Sequence, residues 1–229
     1  MTGGTGATTP LALLFDLDGT LVDSIGLILA CFRYAFASHG LPGITDAELT
    51  RGIGTPLAAQ FRQYARDDAH LNAMIETYRE HQREQHDKLL REYAGIRELL
   101  AELQQLGHPI AIVTSKGEPL ARRALEFTKL DRYVDLLVGL ESTAIHKPHP
   151  APVLHALQAL GRDASAAIFV GDSPHDIAAG KAAGVATVGV TWGAFDREAL
   201  TEAGADHIVD SVAALRELIL SQAAAIVQR

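Results

Sequence analysis

Two carboxylates stand close together near the start of the chain. Asp16 and Asp18 lie in the segment LALLFDLDGTLVDS (11–24), directly after an apolar run and just before Gly19. Such a run is typical of a central parallel strand, whose carboxyl end opens into the crevice where α/β sheets bind ligands. Two acids in that position need a cation or a proton to offset their charge. A turn that simply ends the strand is the alternative interpretation of an isolated DxDG.

Three further polar segments follow predicted strands or precede a helix. Thr114 and Ser115 end PIAIVTS, Lys147 lies in AIHKPHP ahead of a helix, and Asp172 and Asp176 belong to GDSPHD after the run AAIFVG. In a doubly wound sheet, all of these residues would meet at one edge. Their convergence favours a catalytic site over a set of unrelated turns.

The residue types at this edge suit phosphoryl transfer. Asp16 would attack phosphorus and form an aspartyl-phosphate, since a carboxylate can act as a nucleophile. Asp18 would protonate the leaving oxygen and later accept a proton from water. Thr114 and Lys147 would hold the phosphoryl oxygens, whose charge must be stabilised during transfer.

The same acids suit a magnesium ion. Mg²⁺ prefers oxygen ligands and retains waters, so Asp16, Asp172 and the backbone carbonyl of Asp18 are the expected ligands. Asp176 is expected outside this ligand set, where it would support the metal waters or orient Lys147.

Strands and helices alternate from about residue 95 to the end of the chain, which predicts a parallel sheet covered by helices on both faces. Residues 24–92 break that rhythm with long helical stretches and no convincing strand. We therefore predict a Rossmann-like α/β core of residues 1–22 and 93–229. An all-helical cap domain of residues 23–92 would be inserted into it.

Composition excludes several classes of function. The formal net charge of −8 without a basic run argues against nucleic-acid binding. No apolar stretch reaches the length of a membrane span, so a cytoplasmic protein is expected. The phosphoryl-transfer chemistry described above predicts a small phosphorylated molecule as its substrate. Cys31 is the only cysteine, which excludes a disulfide within the chain.

The four segments resemble, in order and spacing, the motifs of the haloacid dehalogenase-like hydrolase superfamily: DxDGT, Ser/Thr, Lys and GDxxxD. The resemblance spans about residues 11–215 and implies Mg²⁺ dependence, an aspartyl-phosphate intermediate and a mobile helical cap. Within this superfamily, dehalogenases and phosphonatases lack the second aspartate of the first motif, which is present here as Asp18. A phosphoric monoester hydrolase is therefore expected, with Gly19 and Ser115 also beside the phosphoryl group.

The segments DSIGL, RGIGTPL, VTSK, HKPHP and GDSPHDI look most like the branch of phosphoglycolate phosphatases and pyrophosphatases. Phosphoglycolate is the favoured substrate by resemblance. Inorganic pyrophosphate, a sugar phosphate or a phosphorylated biosynthetic intermediate stay open, as does a phosphomutase similar to β-phosphoglucomutase. Either a monomer or a homodimer is compatible with the sequence.

Two features of the cap are ambiguous. Arg51, in RGIGTPL, would contact a substrate anion, or it would be an exposed residue of a turn between helices. His81 and His86 lie five residues apart in YREHQREQHDK, which is not a ligand spacing on a helix. For that segment a solvated face is the expected structure.

Overall fold

The structure is a computed structural model that describes residues 10–227. Within these residues the chain forms eight strands: β1 (Ala12–Phe15), β2 (Val22–Asp23), β3 (Arg91–Glu92), β4 (Ile110–Val113), β5 (Leu136–Val138), β6 (Ala167–Gly171), β7 (Ala186–Val190) and β8 (His207–Val209). The outer ends of the predicted core domain, residues 1–9 and 228–229, lie outside this range.

Ten α-helices accompany the strands in the described part of the chain: α1 (Ile25–Ser38), α2 (Asp46–Thr50), α3 (Leu57–Arg62), α4 (Asp68–Leu89), α5 (Ile96–Gln105), α6 (Glu118–Thr128), α7 (Ala151–Leu160), α8 (Pro174–Ala183), α9 (Arg197–Glu202) and α10 (Val212–Val227). Among them no helix combines the length and the apolar character that a membrane crossing requires.

Six strands form one sheet in the order β5-β4-β1-β6-β7-β8, and every neighbouring pair is parallel. The chain builds the sheet outward from β1 on one side, then crosses to β6 on the other. This reversal of strand order creates a crevice at the carboxyl end of β1, where α/β sheets bind ligands. The predicted doubly wound α/β fold is confirmed.

Helices cover both faces of this sheet because the strands are apolar on both sides. In β1, Leu13 and Phe15 belong to the larger core cluster with α5 and α10, whereas Ala12 and Leu14 pack on the opposite side with α7 and α8. Burial on both faces explains why β1 appears in the sequence as a continuous apolar run rather than an alternating one.

Helices α1 to α4 occupy residues 24–90, which we call the helical insertion. The insertion is joined to the core by a two-stranded antiparallel sheet, in which Val22 pairs with Glu92 and Asp23 with Arg91. Sequence inspection misses these strands because two residues are too few for a detectable period. The exact division of the chain into domains at residues 23 and 92 stays a prediction.

The insertion packs around an aromatic cluster built where α1, α3 and α4 meet, and this cluster is continuous with the core of the sheet. Phe32 contacts Phe61 and Tyr78 with ring centroids 4.9 and 5.0 Å apart, and Phe36 lies 5.8 Å from Phe61. All four rings are buried. Aromatic packing of this kind contributes through both buried area and ring geometry.

The expected solvated face is wrong for one of the two histidines of YREHQREQHDK. His86 is buried, because the inward row of α4 continues every four residues from Met74 through Tyr78 and Gln82 to that position. His81 is partly exposed and stacks on Tyr34 with ring centroids 4.0 Å apart.

We predict that Phe61→Ala lowers the free energy of unfolding by about 3–5 kcal/mol, because the substitution leaves a cavity among packed rings. Tyr34→Ala is the matched control, since that ring is 48% exposed and its removal should cost less than about 1 kcal/mol. Urea denaturation of both variants measures the difference. Equal losses would mean that the aromatic cluster is not the core of the insertion.

Candidate active site

Three of the predicted site segments follow strands of the sheet directly. Asp16 follows β1, Thr114 follows β4 and Asp172 follows β6, so the three lie at one edge around the topological switch. All three are buried. The sheet therefore brings residues that are up to 156 positions apart to one place.

Lys147 ties this edge together. Its Nζ lies 2.8 Å from Oδ1 of Asp16 and 2.5 Å from Oδ1 of Asp176, and it also donates to the carbonyl of Val113 at 3.1 Å. The Lys147–Pro148 peptide bond is cis. Since the lysine is buried, these oxygen partners replace the water that its ammonium would otherwise keep.

Both oxygens of the Asp176 carboxylate are engaged. Oδ1 accepts from Lys147, and Oδ2 accepts from the backbone N–H of Ser173 at 3.1 Å and from its hydroxyl at 2.6 Å. This last arrangement caps the start of α8. Asp176 thus holds Lys147 in place and is itself held by the helix.

Asp16, Asp172 and Asp176 form a buried acidic cluster whose nearest carboxylate oxygens lie within 4.8 Å of one another. Burial raises the pKa of Asp16 to about 7; Lys147 opposes that rise and Asp176 adds to it. Burial also raises the pKa of Asp172 well above its usual range, and the neighbouring carboxylates add to the effect. Burial alone would lower the pKa of Lys147, but the carboxylates of Asp16 and Asp176 together outweigh it and raise that pKa.

The cluster suits a divalent cation. Three carboxylates face the Lys147 ammonium, so two negative charges stay uncompensated when all three are ionised. Hard carboxylate oxygens are the ligands that Mg²⁺ and Ca²⁺ prefer. A cation bound by Asp16 and Asp172 would offset that charge and lower the raised pKa values of both groups.

Two glycines make room for the Asp172 carboxylate. A Cβ on Gly19 or on Gly193 would lie 2.2 Å from Asp172 Oδ2, and Gly19 has a φ of +80°. Phosphate binding is expected of Gly19, but its N–H already donates to the carbonyl of Val22 at 2.9 Å. The missing Cβ of this glycine permits the close approach of Asp172, and its contact with phosphate stays a prediction.

Asp172 is also fixed by hydrogen bonds. Oδ2 accepts from the backbone N–H of Ala194 at 2.7 Å, and Oδ1 accepts from the hydroxyl of Thr20 at 3.3 Å. Neither contact neutralises the carboxylate. Its position is thus set before any cation binds, which is the property of a preformed ligand.

Asp18 is paired with a lysine that sequence reasoning gave no role. Lys116 Nζ lies 2.9 Å from both carboxylate oxygens of Asp18, and its backbone N–H donates to the Thr114 hydroxyl at 3.3 Å. The available signal was its position directly after Thr114 and Ser115. The ion pair fixes the direction in which the Asp18 carboxylate points.

The loop RGIGTP of the helical insertion reaches the core at Gly54. The hydroxyl of Ser115 donates to the Gly54 carbonyl at 2.7 Å, so Ser115 contacts the insertion. The side chain of Arg51 is exposed and does not line the cavity described below, so the structure does not bring it to the other predicted residues.

A cavity of about 370 Å³ separates the core from the helical insertion. The core side contributes Asp16, Asp18, Thr114, Ser115 and Lys116. The insertion side contributes residues that sequence reasoning missed. These are Tyr78, Arg79, Gln82 and Arg83 on α4, Gln60 and Leu57 on α3, Ile28 and Phe32 on α1, and Ile53 between α2 and α3. Only the inward row of α4 could have pointed to Tyr78 and Gln82.

Comparison with known proteins gives consistent similarities. Residues 13–190 match the family model described as haloacid dehalogenase-like hydrolase. The chain is 37% identical over 208 residues to pyrophosphatase PpaX of Bacillus pumilus (strain SAFR-032), a match that covers 90% of this chain and 95% of the relative.

Two solved structures are similar over nearly their whole length. A predicted phosphatase from Clostridium acetobutylicum has a TM-score of 0.82 and 30% identity, with coverage of 93% of this chain and 100% of the other. A predicted phosphoglycolate phosphatase from Haemophilus somnus 129pt also has a TM-score of 0.82, with 26% identity and coverage of 93% and 99%.

We predict that Gly193→Ala weakens Mg²⁺ binding by about ten- to a hundredfold, because the new Cβ would displace the Asp172 carboxylate. Calorimetric titration with MgCl₂ measures this change. Gly26→Ala is the matched control, since a Cβ there meets nothing within 4 Å.

Circular dichroism establishes that each of these glycine variants is folded. Asp172→Asn, which keeps the shape and removes the charge, tests the same ligand without a steric change. Wild-type Mg²⁺ affinity in both Gly193→Ala and Asp172→Asn would remove Asp172 from the metal site.

Proposed function

This chain belongs to the haloacid dehalogenase-like hydrolase family and is a phosphatase, and we propose that it uses Mg²⁺ and forms an aspartyl-phosphate on Asp16. One observation carries the proposal. Asp16 is held 2.8 Å from Lys147 at the end of β1 and lines the same cavity as Asp18. A nucleophile and a proton carrier thus face one space that admits a small molecule.

In the first step, an Oδ atom of Asp16 attacks phosphorus while the bond between phosphorus and the leaving oxygen breaks. Asp18 donates a proton to that oxygen, so the leaving group departs neutral. The product is an acyl phosphate on Asp16. The attacking carboxylate needs no activation beyond ionisation, which Lys147 favours.

In the second step, water attacks the phosphorus of the aspartyl-phosphate. Asp18, now ionised, accepts a proton from this water, and the bond between phosphorus and Asp16 breaks. Inorganic phosphate leaves and both aspartates return to their initial states. One residue therefore acts as acid and then as base.

The remaining residues stabilise charge. Lys147 and the hydroxyl of Thr114 are proposed to hold the phosphoryl oxygens during transfer. Asp16, Asp172 and the Asp18 carbonyl would hold Mg²⁺, which when bound supplies positive charge to the transferring phosphoryl group. Asp176 keeps Lys147 in position.

The substrate is a small phosphorylated metabolite. Phosphoglycolate is the substrate favoured by the resemblance. Pyrophosphate is the second candidate, because relatives of this chain carry that activity in their names. Free phosphate as the product would separate both from a phosphomutase, which returns the phosphoryl group to a sugar.

Further predictions of the sequence extend this proposal beyond the site. We expect the protein to bind neither nucleic acid nor membranes. We propose that it is cytoplasmic and forms a monomer or a homodimer.

We predict that Asp16→Asn lowers kcat by at least about a thousandfold, because an amide cannot attack phosphorus. Phosphate release with MgCl₂ and with a chelator measures the loss. Asp131→Asn is the control, since Asp131 is exposed and does not line the cavity. Near-normal turnover by a folded Asp16→Asn variant would exclude Asp16 as the nucleophile.

We predict that Lys116→Met lowers kcat for an alkyl phosphate by about tenfold or more, because the Asp18 carboxylate loses the partner that orients it. p-Nitrophenyl phosphate should be affected much less, since its leaving group departs without a proton. Lys116→Arg should recover part of the loss. Equal losses on the two substrates would assign Lys116 a structural role only.

A further inference from the structure

The inward row of α4 places two polar side chains against the cavity. Tyr78 and Gln82 lie four residues apart, so they occupy neighbouring positions on one face of the helix. Their exposed fractions are 4% and 3%, and both line the cavity that also contains Asp16 and Asp18. A molecule that reacts at Asp16 therefore extends toward these two residues.

Neither polar group is satisfied by the protein. Among the residues that the structure describes, no side chain or backbone group hydrogen-bonds to the Tyr78 hydroxyl or the Gln82 amide. The Oε1 of Gln60, which lines the same cavity, is buried without a partner, at a cost of about 1–3 kcal/mol. The polar atoms of Tyr78 and Gln82 are not enclosed in this way but open onto the cavity. Since both groups line the cavity, their partners are whatever occupies it, first water and then the substrate.

Both groups are uncharged. Burial raises the pKa of the Tyr78 phenol well above its usual range, and the nearby Cys31 and Asp18 add to that rise. The hydroxyl therefore both donates and accepts, and so does the amide of Gln82. They match hydroxyl, carbonyl or amide groups on a ligand.

The surfaces next to them are apolar. Ile28 and Phe32 from α1, together with Ile53 and Leu57, line the same side of the cavity. Such a wall favours the carbon skeleton of an organic molecule over a strongly hydrated anion.

The arginines of α4 do not change the neutral character of the cavity wall around Tyr78 and Gln82. Arg79 and Arg83 are exposed, and Arg83 Nη2 lies 2.8 Å from Glu76 Oε1. Lys116 is already paired with Asp18. A second phosphate or a carboxylate placed against Tyr78 and Gln82 would therefore be buried beside neutral groups, which is costly for an anion.

We propose that Tyr78 and Gln82 bind the leaving group of the substrate, and that this group is a neutral polar organic moiety. The substrate is then a phosphomonoester of a polyol, a sugar or an amide-bearing metabolite, rather than pyrophosphate or phosphoglycolate. This inference rests on the proposed phosphatase activity. Among the candidates raised by the sequence, it selects the sugar phosphate or biosynthetic intermediate.

The test begins with phosphate release from glycerol 3-phosphate, ribose 5-phosphate, glucose 6-phosphate, pyrophosphate and phosphoglycolate, with Mg²⁺ and with chelator. The best of the three neutral-alcohol esters should exceed both pyrophosphate and phosphoglycolate in kcat/KM by at least about tenfold. This factor corresponds to about one net hydrogen bond.

The second part uses Gln82→Leu and Tyr78→Phe, which remove the polar groups with little change in volume. Each should lower kcat/KM for the best ester about tenfold and change pyrophosphate hydrolysis less than about twofold. Gln85→Leu on the same helix and Tyr64→Phe in the insertion core are matched controls, because neither residue lines the cavity. Both controls should behave as wild type.

The outcomes separate the two proposals. Absence of Mg²⁺-dependent phosphate release from every compound would overturn the proposed function itself. Release that is fastest with pyrophosphate or phosphoglycolate, or equal for all five compounds, would overturn only the neutral-substrate inference. Equal losses on all substrates in Gln82→Leu and Tyr78→Phe would also overturn it, because that pattern indicates a structural role.

Discussion

The buried ammonium of Lys147 is the constraint on which the site depends. It needs oxygen partners to be tolerated inside the protein, and Asp16, Asp176 and the Val113 carbonyl provide them from three different strands or helices. Only a parallel sheet with β4, β1 and β6 side by side brings these groups together. The excess of negative charge that remains around the lysine is also what makes the cluster suitable for a divalent cation.

Much of the core was predictable because its functional residues lie directly next to predicted strands or helices in the sequence. Asp16 and Asp172 directly follow apolar runs, and Lys147 precedes α7. A short apolar run predicts a buried strand. The residue that follows a parallel strand then lies at the carboxyl edge of the sheet. Family membership and the doubly wound sheet are accordingly confirmed by the comparisons and the structure.

The wall of the cavity was not predictable in the same way. Gln82 and His86 lie in a stretch of α4 rich in charged residues, and their burial depends on neighbours distant in the sequence, such as Phe127, whose ring centroid lies 5.5 Å from that of His86. The pairing of Lys116 with Asp18 joins residues 98 positions apart and follows from side-chain geometry. Arg51 was ambiguous for a related reason, because the direction of a loop beside glycines cannot be deduced from its residues.

The short sheet formed by β2 and β3 has a consequence for how such proteins diversify. Because the chain leaves the core at Val22 and returns beside it at Glu92, everything between adds no strand to the main sheet. A helical insertion from another relative could be exchanged at this junction without altering the strand order. Chimeras made there would transplant one protein's preference for a leaving group onto another protein's reaction centre.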